Sequence, residues 1–173
     1  MEIKELRIDD INENFLKDFN RYQKTDKSYK EINGKWILTD EPYENEWDDY
    51  DKKEVISELI TSIKKGDFVF GIYDNDKLIA FANLKKGKFG TKNQYVRIAF
   101  LHVSYEYRNK GIGKKLFEKC INKAKEIGAR KIHILADNAE DSQIFYQKSG
   151  FVDAEEIFKD ENEEKHRQME YIL

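Results

Sequence analysis

The 173-residue chain has one cysteine, Cys120, and one proline, Pro42. A lone cysteine excludes an intrachain disulfide and any multi-cysteine zinc site, so no metal is expected. There is no run of 18 consecutive apolar residues, the length that marks a membrane-spanning helix, and stretches such as Ile98-Ala99-Phe100-Leu101 are strand-sized. The segment Met1-Glu2-Ile3-Lys4-Glu5 lacks the apolar core of a signal peptide. A cytoplasmic protein with no membrane partner is expected. An excess of either charge is also missing: 31 Lys plus Arg face 34 Asp plus Glu, a net charge of −3. That balance excludes a polyanionic tail and argues against a nucleic-acid binder, which usually carries a strong basic excess.

Charge density is high, with 38% charged residues against about a quarter in an average soluble domain. Apolar residues at 39% and aromatics at 13% supply enough material for a core, which argues against disorder. A single domain over 1–173 is the expectation at this length.

Glu2 to Ile8 alternates loosely as a strand, and Asp9-Asp10 precedes Ile11, Phe15, Leu16 and Phe19 at helical spacing. Asn33-Gly34 signals a two-residue hairpin between 29–32 and 36–38. Val55, Ile56, Leu59, Ile60 and Ile63 form one helical stripe that Gly66 ends. Residues 68–73 and 78–82 flank a tight turn, and a long strand runs from about Gln94 to Val103. The best helical stripe joins Ile112, Leu116, Phe117, Cys120, Ile121, Ala124 and Ile127, closed by Gly128. A strand at 132–136, a helix at 139–149 and two closing strands at 151–158 and 168–173 complete the chain. The expected fold is α/β: a mixed, mostly antiparallel central sheet flanked by helices, in the order β-α-α-β-β-β-α-β-α-β-β.

The long strand runs into Ser104-Tyr105-Glu106-Tyr107-Arg108-Asn109-Lys110-Gly111-Ile112-Gly113-Lys114, and this loop opens the best helix. A helix N-terminus offers unsatisfied N–H groups and the positive end of the macrodipole. Gly111 and Gly113 let an anion approach those groups closely, and Arg108, Lys110 and Lys114 add positive charge. The pattern reads as a pyrophosphate cradle or as a plain strand-to-helix turn with solvated basic residues. It is not a P-loop, because Gly113-Lys114 is followed by Lys115, and it lacks the third glycine of a dinucleotide fingerprint.

Arg108-x-x-Gly111-x-Gly113 after a strand, with Leu101-x-Val103 before it, resembles the GNAT superfamily of N-acetyltransferases. Phe145-Tyr146-Gln147-Lys148-Ser149-Gly150-Phe151 is similar to the family's signature around its last helix. The resemblance covers 67–158, the expected acyl-CoA-binding core, leaving 1–66 as an acceptor-side variable region and 159–173 as a closing strand. It implies acetyl-CoA or another short acyl-CoA as donor. The Leu101-His102-Val103 backbone would pair with pantetheine, and Arg108, Asn109, Lys110, Gly111, Ile112, Gly113 and Lys114 would hold the pyrophosphate. Asn138 and Ser142 would be polar cofactor contacts, and the strands would splay to admit the thioester. Tyr146 stands at the family's catalytic tyrosine, where a phenol assists the leaving thiolate. A homodimer is compatible with such a fold.

The sequence departs from the family where some members carry a base on the long strand, since Arg97 and Ala99 stand there. With period two, His102 is expected on the opposite face from them, and His133 and His166 are equally weak candidates. The acidic, aromatic stretch with Tyr43, Glu44, Glu46, Trp47 and Asp48 reads as an acceptor wall for a cationic amine or as a solvated acidic loop. Over about a dozen residues it is similar to streptothricin acetyltransferases. Lys85, Lys86, Lys88 and Lys92 read as a solvated turn. The expected activity is N-acetyl transfer to an amine of a small molecule or peptide in a ternary complex. The alternative is a non-catalytic acyl-CoA-binding regulatory module.

Overall fold

Strand alternation sorts the apolar residues onto two faces of a seven-stranded sheet. The computed structural model describes residues 1–159 and 165–173. The strands are β1 (Glu2–Glu5), β2 (Gln23–Thr25), β3 (Ser28–Ile32), β4 (Lys35–Thr39), β5 (Tyr43–Asn45), β6 (Phe68–Asp74), β7 (Lys77–Leu84), β8 (Tyr95–Val103), β9 (Lys131–Ala136), β10 (Val152–Asp153) and β11 (Arg167–Ile172). The helices are α1 (Asp49–Lys64), α2 (Ile112–Glu126) and α3 (Glu140–Lys148). The sheet runs β1-β6-β7-β8-β9-β11-β10, with β8 and β9 parallel and every other neighbouring pair antiparallel. On one face, Phe70, Ile72, Ala82, Leu84, Val96 and Ile98 pack against Leu116, Phe117 and Cys120 of α2. On the other, Val69, Leu78 and Phe81 pack against Val55, Ile56 and Leu59 of α1.

The mixed sheet with flanking helices matches the expected class, but the N-terminal region differs in detail. Ile11, Leu16 and Phe19 are buried as their spacing suggests, yet they sit on a run of turns. Phe15 N–H bonds Asn12 C=O, Lys17 bonds Asn14 and Phe19 bonds Leu16, all three residues apart. Asn12 Oδ1 also accepts from Asn14 N–H at 2.9 Å, a local bond that competes with helix. The Asn33-Gly34 hairpin forms between β3 and β4, with φ of 51° and 77° at the two turn residues. The closing strand expected over 151–158 shortens to β10, and part of the 159–173 segment, residues 160–164, lies outside the described residues.

Two irregularities build the site. Asn83 pairs with Phe100 but Leu84 pairs with Ile98, so Ala99 is an extra residue, a β-bulge. After a bulge the period-two alternation changes phase. Val96 and Ile98 face α2 before it, and Leu101 and Val103 do so after it. Phe100 and His102 turn to the α1 side, against Phe81. The expectation that His102 lies opposite Arg97 is therefore corrected: the bulge returns it to the Arg97 face. In addition, β8 and β9 pair only from Tyr95↔Lys131 to Arg97↔His133, so their C-terminal halves part.

Candidate active site

The gap between β8 and β9 opens into a cleft of about 770 Å³, lined by Leu101, His102 and Val103 of β8, the Arg108–Lys114 turn, and Ser142, Phe145 and Tyr146 of α3. Segment 20–29 crosses its back. Tyr105 N–H donates to Asn20 C=O at 2.9 Å, Gln23 Nε2 to Ser142 Oγ at 3.2 Å, and Glu140 N–H to Lys27 C=O at 3.1 Å. The strap thus ties the end of β8 to the start of α3. Arg21 and Gln23 on it also line the cleft.

The turn before α2 has the conformation of an anion cradle. Asn109 and Gly111 have φ of 59° and 76°, and Gly111 is the N-cap. The first helical bond runs from Lys115 N–H to Gly111 C=O at 3.2 Å. The N–H groups of the preceding turn therefore have no helical acceptor. Gly113 is needed for space, because a Cβ there would meet the Phe145 ring at 3.1 Å. These features fit the pyrophosphate of an acyl-CoA, and the unpaired edge of β8 after Arg97 fits its pantetheine arm.

The basic residues divide in function. Arg108 Nε donates to Val103 C=O at 3.0 Å and Nη2 to Arg21 C=O at 3.5 Å, so this guanidinium braces the turn against the strap. Lys110 folds away onto Glu106 C=O at 2.8 Å and over the Tyr107 ring, and it does not line the cleft. Ile112 is buried in the core, whereas Lys114 lines the cleft. Asn138 is buried with Nδ2 donating to Lys165 C=O at 2.9 Å, and it stands off the cleft lining.

Tyr146 is half-buried between Phe145 and Phe151, at ring separations of 5.3 and 5.4 Å. Burial, reinforced by the Asp137 carboxylate, raises its phenol well above the ordinary value, so it stays protonated at neutral pH. Cys120 lies wholly buried on the sheet-facing side of α2, its thiol pushed up to about 12 by burial. That excludes it as a nucleophile.

On the strap side, Trp47 stands edge-on to His102 at 4.9 Å, and the Arg21 guanidinium lies over Trp47 at 5.6 Å. His102 is lowered well below the usual histidine value by burial, then by Arg21 and Arg108, so it is neutral. Tyr43 donates from its hydroxyl to Asp137 Oδ1 at 2.8 Å, which also accepts from Ala139 N–H at 2.9 Å. Asp48 caps α1, accepting from Asp51 N–H at 2.8 Å, and Glu44 and Glu46 are exposed near Tyr22; none of the three lines the cleft. His133 is buried beyond the splay against Gln168, and His166 is not on the cleft. Arg21, Gln23 and Asp137 escaped sequence reading because they lie far apart in the chain and match no motif. A charged residue following the buried Leu16 and Phe19 was the only cue.

A bulged strand splayed from its parallel neighbour, a glycine turn opening a helix, and a tyrosine on the cleft wall together suit an acyl-CoA-dependent transferase. The sequence model of the acetyltransferase (GNAT) family matches residues 32–151, and the chain belongs to that family. Its donor is acetyl-CoA, and no cluster of metal-ligating side chains occurs among the described residues. A Bacillus anthracis structure described as a streptothricin acetyltransferase, in complex with acetyl coenzyme A, superposes with a TM-score of 0.65 at 23% identity. That match covers 87% of this chain and 84% of the other. Nourseothricin acetyltransferase gives 0.70 at 16% identity, over 99% and 97% of the two chains. The PaiA N-acetyltransferase of Thermoplasma acidophilum, in complex with coenzyme A, gives 0.55 at 22%, over 72% of each. No protein of curated function matches. No helix among the described residues is long and apolar enough to cross a membrane.

Proposed function

We propose that the protein transfers an acetyl group from acetyl-CoA to an amine of a small molecule or peptide, directly, within a ternary complex. The observation that carries this reading is Tyr146, a phenol on the wall of the cleft that Leu101, His102 and Val103 of β8 also line. Attack forms a bond from the amine nitrogen to the thioester carbonyl carbon, and the C–S bond breaks. Tyr146 gives its proton to the departing thiolate. Neutral His102, which the bulge turns into the cleft, accepts the proton lost by the amine. No covalent enzyme intermediate is involved, in keeping with the buried thiol of Cys120.

Residues 101–103, 108–109, 111 and 113–114 form the donor side, with Ser142 opposite; His102 and Arg21 form the acceptor side, with Trp47 packed against both. Tyr43 supports that side through Asp137, and the exposed Glu44 and Glu46 offer negative charge to basic amines. The test is thiol release from acetyl-CoA with a panel of amines that includes streptothricin and nourseothricin. Amine-dependent release with an acetylated product supports the reading. Tight CoA binding with no release by any amine replaces it with the non-catalytic binding module.

A further inference from the structure

Arg21 is a charged side chain 8% exposed, on the strap behind the cleft. Among the described residues it is paired with Asp137 Oδ2 at 4.0 Å, at the limit of an ion pair, and the other Asp137 oxygen is occupied by Tyr43 and Ala139. Arg21 Nη1 donates to Gln23 Oε1 at 2.7 Å, a neutral partner. The guanidinium's charge is therefore only partly offset by its partners, and it is largely buried, where charges act more strongly than in water. It lies over Trp47, which also packs against His102, so the indole joins the two cleft-lining groups, guanidinium and imidazole.

We propose that Arg21 holds the acceptor amine in its unprotonated, nucleophilic form. The inference rests on the acetyl-transfer reading. An alkyl amine is an ammonium ion in water at neutral pH and cannot attack a thioester until it loses a proton. A nearby fixed cation disfavours the ammonium form, as it disfavours any added like charge. The site thus needs only a weak proton acceptor, which suits a neutral imidazole. His102 is subject to the same field, from Arg21 and Arg108 together. The ammonium proton passes to solvent, the neutral amine forms the N–C bond, its second proton passes to His102, the C–S bond breaks, and the thiolate takes the Tyr146 proton. Among the described residues, the charged and titratable groups around Arg21 are Asp137 after β9, Arg108 on the turn, His102 on β8, and Tyr146 and Asp141 on α3. Of these, Asp137 and Asp141 oppose the effect, and Arg108 adds to it.

The experiment is the pH profile of kcat at saturating acetyl-CoA and amine, which reports groups in the bound complex. It is run on the wild type, Arg21→Lys, Arg21→Gln and Asp137→Asn. Arg21→Gln is expected to move the acid limb up by about one pH unit or more, and Arg21→Lys, which keeps the charge, to leave it near the wild-type position. Asp137→Asn keeps the oxygen that Tyr43 and Ala139 bond but removes the opposing charge, so it is expected to move the limb down. It also serves if Arg21→Gln does not fold. Superimposable limbs for wild type and a folded Arg21→Gln, or an unmoved or raised limb for Asp137→Asn, overturn the proposal. Absence of turnover with every amine in the wild type would sink acetyl transfer itself, a separate failure.

Discussion

Gly113 at the start of α2 touches the ring of Phe145 on α3, so closely that a Cβ at 113 would lie 3.1 Å from that ring. The glycine turn and the helix carrying Tyr146 are thereby set against each other through one missing side chain. Gly113→Val is expected to push Phe145, and Tyr146 beside it, out of place. Stability should fall by about 1–3 kcal/mol from overpacking. The misplacement should lower kcat/KM for acetyl-CoA by about 10- to 100-fold. Thermal melts and steady-state kinetics check both.

Tyr146→Phe keeps the ring packing on Phe145 and Phe151 and removes only the proton donor. Turnover should fall by about 100-fold, the usual contribution of a general acid, with CoA affinity unchanged by calorimetry. A collapse of CoA affinity would make the tyrosine structural. The raised phenol also means that no basic limb from this group enters the rate profile below about pH 10.

Arg108 and Lys110 are two residues apart and should behave differently. Arg108→Ala removes the brace to Val103 C=O and Arg21 C=O, and KM for acetyl-CoA should rise about tenfold, the effect of losing a charged hydrogen bond. Lys110 points to Glu106 C=O, so Lys110→Ala should leave that KM within about twofold, as for a surface substitution.

His133 is fully buried on β9, bonded to Gln168 Oε1 at 3.0 Å, and burial lowers it to about 4. Its folded value lies below the unfolded one near 6.5, so the unfolded chain binds more protons between those values. Stability should accordingly fall as pH drops from about 6.5 to about 4, by up to ~3 kcal/mol. Denaturant titrations of wild type and His133→Gln across that window test this, and the variant should show the shallower fall.

Much of the fold was legible where one period ran unbroken. The α2 stripe from Ile112 to Ala124, the β6–β7 hairpin and the Asn33-Gly34 turn each depend on local chemistry, and each formed where expected. The glycine turn and Tyr146 were legible because their spacing is a motif. Two kinds of information were not. A bulge is set by strand pairing, so the Ala99 insertion that rotates His102 into the cleft could not be read from alternation. The helix expected from Ile11 to Phe19 failed because turns that bury the same side chains compete with it. Arg21 and Asp137, 116 positions apart in sequence, meet only through the strap across the splayed strands.

Mass spectrometry of amine acceptors incubated with the protein and acetyl-CoA, alongside thiol release, tests the central claim most directly. The account predicts an amine carrying one added acetyl group, formed mole for mole with free CoA and nearly abolished by Tyr146→Phe. CoA bound tightly while every amine in the panel is recovered unmodified would contradict it.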